Sequence, residues 1–125
     1  MNLFDEELTE KIIKGAIEVH RYLGPGLLES AYEDCLCCEF EQMGLAFERQ
    51  KMLPVVYKGR QLQAAYRIDL LVEGRVLIEL KSVEKLLPVH TAQLLTYLRL
   101  TGLKTGLLLN FNAPLLKDGL RRFVL

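Results

Sequence analysis

Leu8, Ile12, Ala16, Val19 and Leu23 recur at the three- and four-residue spacing of one helix face, and Gly24-Pro25-Gly26 marks where that helix stops. A second helix is expected from about Leu27. Its apolar stripe runs through Leu28, Ala31, Tyr32, Cys35, Leu36, Phe40 and Met43, is interrupted by Glu39, and ends at Gly44. The period then changes to two. Residues 53–57 read as a strand, Lys58-Gly59 as a turn, and residues 61–72 as a longer second strand. Glu73-Gly74-Arg75 is the next turn and residues 76–81 the third strand. Pro88 and Gly102 bracket a helix over residues 89–100. Residues 104–110 read as a fourth strand, and residues 114–125 as a turn and a short last strand. The order α-α-β-β-β-α-β-β predicts an α/β fold of the α+β kind, a mixed sheet with helices packed on it. Residues 1–125 are of a length that suits a single domain.

Composition narrows what such a domain does. Lys plus Arg number 16, as do Asp plus Glu, so the formal net charge is zero. Proteins that grip nucleic acid by charge alone are usually basic, because phosphate contacts supply most of the non-specific affinity. Binding of nucleic acid here therefore calls for a local patch, a metal, a dimer groove or a partner. Arg49, Lys51, Lys58, Arg60, Arg99, Lys104, Lys117, Arg121 and Arg122 form no stripe along the sequence, and Arg121-Arg122 reads as a solvated strand edge. Residues 1–10 are acidic and lack a continuous apolar run, so no secretory leader is expected, and no stretch reaches membrane-spanning length. Cys35, Cys37 and Cys38 are too few and too close for a disulfide framework or a four-thiolate zinc site. They read as reduced thiols packed in the core of a cytoplasmic protein.

The segment from Arg67 to Lys81 carries the candidate chemistry. Burying Ile68, Leu70 and Val72 on one face with Val76, Ile78 and Leu80 fixes the hairpin register. The tightest such register pairs Val72 with Val76, Leu70 with Ile78 and Ile68 with Leu80. It sets Asp69 across from Glu79 and Arg67 across from Lys81. Opposed residues have Cβ atoms about 4.5–5.5 Å apart, and opposed like charges are unfavourable. The two carboxylates therefore call for a counter-charge. Mg²⁺ or Mn²⁺, which prefer oxygen ligands, is one answer, held by Asp69, Glu79 and the Leu80 carbonyl. Lys81 would then face the attacking water. The other answer is a surface patch in which Arg67 and Lys81 neutralise the acids directly. Spacing alone leaves both standing.

Asp69 followed by Ile78-Glu79-Leu80-Lys81 resembles the PD-(D/E)XK phosphodiesterase motif, with Ile68 where proline usually precedes the first acid. Gly26-Leu27-Leu28-Glu29-Ser30-Ala31-Tyr32 reads G-x-x-E-x-x-Y and is similar to the signature of the small bacterial GxxExxY family. The segment from Tyr66 to Leu125 is similar to that family too. The resemblance implies a PD-(D/E)XK nuclease-like fold in which Glu29, on the leading helix, joins Asp69, Glu79 and Leu80 at the metal. Apart from it, Glu29 is a first-turn acid favoured by the helix dipole, and Tyr32 a core aromatic whose hydroxyl finds a partner. Gln93 and Tyr97 resemble the Q-x-x-x-Y element of the exonuclease-like branch, and their i, i+4 spacing puts both on one helix face. Gln93 would position a water or a phosphate. His90 reads as a surface or capping residue. The implied activity is Mg²⁺- or Mn²⁺-dependent hydrolysis of DNA or RNA, with Asp69, Glu79, Lys81 and Gln93 catalytic. The rival is a nuclease-like fold without turnover, serving as a nucleic-acid-binding or protein-assembly module, a homodimer among its forms. A hydrolase of other phosphate esters would share the site.

Overall fold

The computed structural model describes residues 5–125. Residues 1–4, which open the acidic stretch read as lacking a leader, lie outside them. Helices α1 (Glu6–Leu23) and α2 (Glu29–Met43) precede strands β1 (Phe47–Tyr57), β2 (Arg60–Val72) and β3 (Val76–Lys81). Helix α3 (Pro88–Thr101) leads to β4 (Thr105–Asn110), a single 3-10 turn (Leu116–Gly119) and β5 (Leu120–Val124). This is the expected element order. The five strands lie side by side in chain order, all antiparallel except β3 and β4, which are parallel and joined by the α3 crossover.

Two apolar layers sandwich the sheet. Leu8, Ile12, Ala16 and Val19 of α1 and Leu36 and Phe40 of α2 pack against Leu70, Val72, Ile78 and Leu107. Leu94 and Leu98 of α3 pack on the other face against Ile68, Leu77 and Leu108. Every residue of β4, and all of β3 except Lys81, is therefore buried, as a parallel pair covered on both faces requires. No helix is long and apolar enough to cross a membrane among the described residues.

Three details differ from the sequence expectation. Helix α2 starts at Glu29, and Leu28 stands outside it, 78% exposed. Its buried residues are Tyr32, Glu33, Leu36, Cys37 and Phe40. Successive residues on a helix point about 100° apart, so the three cysteines cannot share the core. Cys37 is buried and its thiol pushed up to about 11, chiefly by burial, while Cys35 is half-buried and Cys38 exposed. Strand β1 begins at Phe47 rather than residue 53, since its early half pairs with β2 from Phe47↔Val72 to Arg49↔Leu70.

The Tyr32 hydroxyl donates to the Gly24 carbonyl at 2.6 Å and accepts from the Leu27 amide at 3.1 Å. Its ring stacks on Phe111 with centroids 4.5 Å apart. Tyr32 thereby clamps the loop that sets where Glu29 enters α2. Tyr32→Phe keeps the stack and loses both bonds, so it is expected to lower stability by about 1–2 kcal/mol in urea denaturation, with an unchanged m-value.

Candidate metal centre

The β2–β3 ladder pairs Leu70↔Ile78, Leu71↔Leu77 and Val72↔Val76, in the expected register, and then ends. The expected pairs Asp69–Glu79, Ile68–Leu80 and Arg67–Lys81 do not form. Instead the two acids reach across the gap. The Asp69 amide donates to Glu79 Oε1 at 3.2 Å, and the Leu80 amide donates to Asp69 Oδ2 at 2.8 Å. Directly opposed carboxylates would crowd at Cβ distance. By bonding to the facing backbone they part the strands and still satisfy the amides that the ladder abandons. Ile68 follows this change of direction and packs in the α3 layer rather than beneath Leu80.

The other flank of Asp69 is open as well. Between the pairs Arg49↔Leu70 and Lys51↔Ile68, Gln50 adopts a left-handed backbone with φ of 48° and leaves the ladder. Its side-chain amide donates to Glu33 Oε1 and reaches Asp69 Oδ1 at 3.5 Å. Glu33 is held in turn by Arg49, through Nε at 3.0 Å and Nη2 at 2.9 Å. Glu33 and Gln50 are not legible as site residues in the sequence. Their roles depend on the early start of β1 and on one left-handed residue, neither of which leaves a periodic signal.

Glu79 is 5% exposed, and its carboxyl is pushed up to about 8. Burial is the main cause and the Asp69 charge the next, opposed by the Asp69 amide and by Lys81. Neither Arg67 nor Lys81 forms a salt bridge with Asp69 or Glu79 among the described residues, so the directly neutralised patch is absent. Tyr97, packed on Tyr66 with centroids 4.9 Å apart, has its hydroxyl pushed up by burial and then by Glu79 and Asp69.

A cleft of about 420 Å³ gathers Asp69, Glu79, Leu80, Lys81, Glu29, Gln93 and Tyr97. It adjoins a second cavity, about 370 Å³, where Glu29, Glu33, Gln50 and Asp69 meet. All the sequence-predicted site residues thus share one cleft. Glu29 Oε1 accepts the Ser82 amide at 3.3 Å, which ties α2 to the end of β3. Asn110, buried at the end of β4, accepts from the Val83 amide at 3.1 Å and donates to its carbonyl at 2.9 Å, fixing the chain just past Lys81. His90 accepts the Leu87 amide at 2.9 Å and caps α3, as its position suggested. A larger cavity, about 760 Å³, lies at the start of α1 and is lined mainly by acids such as Glu6, Glu7 and Glu10. It holds none of the predicted site residues.

The donors at the cleft suit a hard cation. They are all oxygen, two are carboxylates locked side by side, and the buried one is poorly neutralised. Among the described residues no three carboxylate, imidazole or thiolate groups converge into a closed cage. Mg²⁺ does not require one, since it usually keeps several waters and takes one or two carboxylates.

A model of the PD-(D/E)XK nuclease superfamily matches residues 6–123. No curated protein and no solved structure matches the chain. Since the family match runs from the first turn of α1 into β5 rather than over the short acidic motif alone, the chain belongs to the PD-(D/E)XK nuclease superfamily.

Proposed function

We propose that residues 1–125 form one domain that hydrolyses phosphodiester bonds of DNA or RNA with Mg²⁺ or Mn²⁺. Membership of the superfamily makes nucleic acid the expected substrate, and nucleases of this superfamily generally use divalent metals. The observation that carries the reading is the reciprocal bonding of Asp69 and Glu79 across a parted ladder, beside Lys81 and with no neutralising salt bridge among the described residues. The G-x-x-E-x-x-Y segment supports a place in the GxxExxY branch, with Glu29 among the residues that line the cleft.

Asp69, Glu79 and the Leu80 carbonyl would hold the ion, with Glu29 as third acid. An ion held there would supply Lewis-acid polarisation of the phosphoryl group and lower the pKa of a bound water. Lys81, two residues past Glu79 and lining the cleft, would orient the attacking water and offset charge growing on phosphate oxygens. Gln93, one turn before Tyr97, offers both a donor and an acceptor to that water or to the phosphate. Gln50 and Glu33 position Asp69 from behind.

Incubation with single- and double-stranded DNA and RNA tests the reading. Cleavage of at least one form is expected with Mn²⁺ or Mg²⁺ and none with EDTA. If every form survives both ions, the fold serves as a binding or assembly module instead.

A further inference from the structure

From Lys51 to Ile68 the chain carries Lys51, Lys58, Arg60 and Arg67 and no acid, so the rest of this neutral protein is net acidic. Spread along the sequence these cations make no stripe, but the fold folds them back on one another. They lie along the outer parts of β1 and β2, paired from Lys51↔Ile68 and Met52↔Arg67 outward to Tyr57↔Arg60, with Lys58 in the turn between the strands. Residues 56–65 are exposed throughout, with Val56 and Tyr57 more than half bare. A two-stranded ribbon standing alone is marginal in water. Apolar and cationic side chains on such a ribbon suit a polyanionic surface with apolar edges.

Lys51 is already paired with Glu48 at 2.5 Å. Lys58, Arg60 and Arg67 form no ion pair among the described residues, and Lys58 Nζ lies 5.4 Å from the Tyr57 ring centroid. The root of the ribbon opens into the candidate cleft, where Met52, Tyr66 and Arg67 join Asp69 and Glu79. Whatever the ribbon grips is therefore carried to the carboxylates.

We infer that the β1–β2 ribbon is a clamp for duplex DNA that enters the major groove beside the site of cleavage. This rests on the nuclease reading and adds the substrate class to it. The B-form major groove, about 12 Å wide and about 8.5 Å deep, admits a two-stranded ribbon. Residues 54–57, at about 3.4 Å each, carry the paired ribbon roughly 10–14 Å beyond the Leu53↔Tyr66 pair, enough to span that depth. The deep, narrow major groove of A-form RNA excludes such an arm. The cations meet phosphates on the groove walls, and Val56 and Tyr57 meet base edges.

The test is fluorescence anisotropy in EDTA with a labelled DNA duplex and an RNA duplex of the same sequence, comparing the wild type with Lys58→Gln/Arg60→Gln. Both positions are exposed, and circular dichroism checks that the fold is kept. The double substitution is expected to weaken DNA binding about tenfold and to flatten the slope of log affinity against log salt by about 1.8, the loss of two phosphate contacts. The RNA duplex is expected to bind more weakly and to ignore the substitution. An unchanged DNA affinity and slope, equal use of RNA, or loss of a dimer with DNA binding intact would each overturn the clamp. In the last case the acidic end of a second copy is the occupant. Cleavage of the same DNA by the wild type in Mn²⁺ separates the two readings. Substitution-sensitive binding, with this duplex and every other form of DNA and RNA left uncut in Mn²⁺ and Mg²⁺, sinks the nuclease and leaves the clamp, whereas cleavage with an unchanged salt slope does the reverse.

Discussion

Glu79→Gln is expected to stabilise the metal-free protein at alkaline pH while removing its response to divalent ions. The folded state holds the Glu79 proton up to about pH 8, against an ordinary value of 4.5. Below the lower value both states are protonated and ionisation costs nothing. Between the two values the unfolded chain has released the proton and the folded protein has not, so stability falls as pH rises. Above the upper value the folded state bears the whole cost of a buried carboxylate. Each pH unit of that gap is worth about 1.4 kcal/mol, so the cost amounts to a few kcal/mol. The substituted amide keeps an oxygen for the Asp69 N–H and has no proton to lose. Urea midpoints in EDTA should therefore decline from about pH 5.5 to about pH 8.5 in the wild type and stay level in the variant. The variant should be the more stable of the two at the upper pH. A variant less stable than wild type there would show that the Glu79 carboxylate is already well neutralised.

Lys81→Ala is expected to lower cleavage on the order of 10²–10³-fold with the fold intact, the usual cost of removing one group aimed at charge developing in the transition state. The backbone of Lys81 pairs with Asn110 and its carbonyl accepts the Phe111 amide at 2.9 Å, contacts that do not involve its ammonium. The melting temperature should therefore move little and Mn²⁺ affinity should hold, which sets this variant apart from Glu79→Gln. Lys81→Arg keeps the charge but cannot give up its proton, so partial recovery would assign charge neutralisation to Lys81, and none would assign proton transfer. Equal activity of Lys81→Ala and wild type would remove Lys81 from the chemistry.

Much of this was legible because burial dictates register. Leu70, Val72, Val76 and Ile78 had to share a face, and the tightest turn that permits this sets Asp69 against Glu79. The outcome at the pair itself was not legible. Alternation treats every strand residue alike, and two opposed acids bond the facing amides and end the ladder instead. Ile68 left its expected layer for the same reason. Helix periodicity located the core face of α1, but α2 turned its buried face to include Glu33, an acid that looks solvent-facing until Arg49 and Gln50 meet it. The basic ribbon was hidden because its cations meet only through long-range strand pairing. Tyr32 is the core aromatic with a bonded hydroxyl that its place on the helix stripe suggests, its partners lying in the loop that starts α2.

The central claim is that Asp69 and Glu79 form a seat for a divalent cation, and calorimetric titration with Mn²⁺ tests it most directly. Repeated at neutral pH in buffers of different ionisation enthalpy, the titration counts protons as well as ions. Because Glu79 holds its proton to about pH 8, binding is expected to saturate at one site and to release a proton. Asp69→Asn and Glu79→Gln should each abolish that heat. No binding by the wild type, or binding that persists unchanged in both variants, would contradict the account.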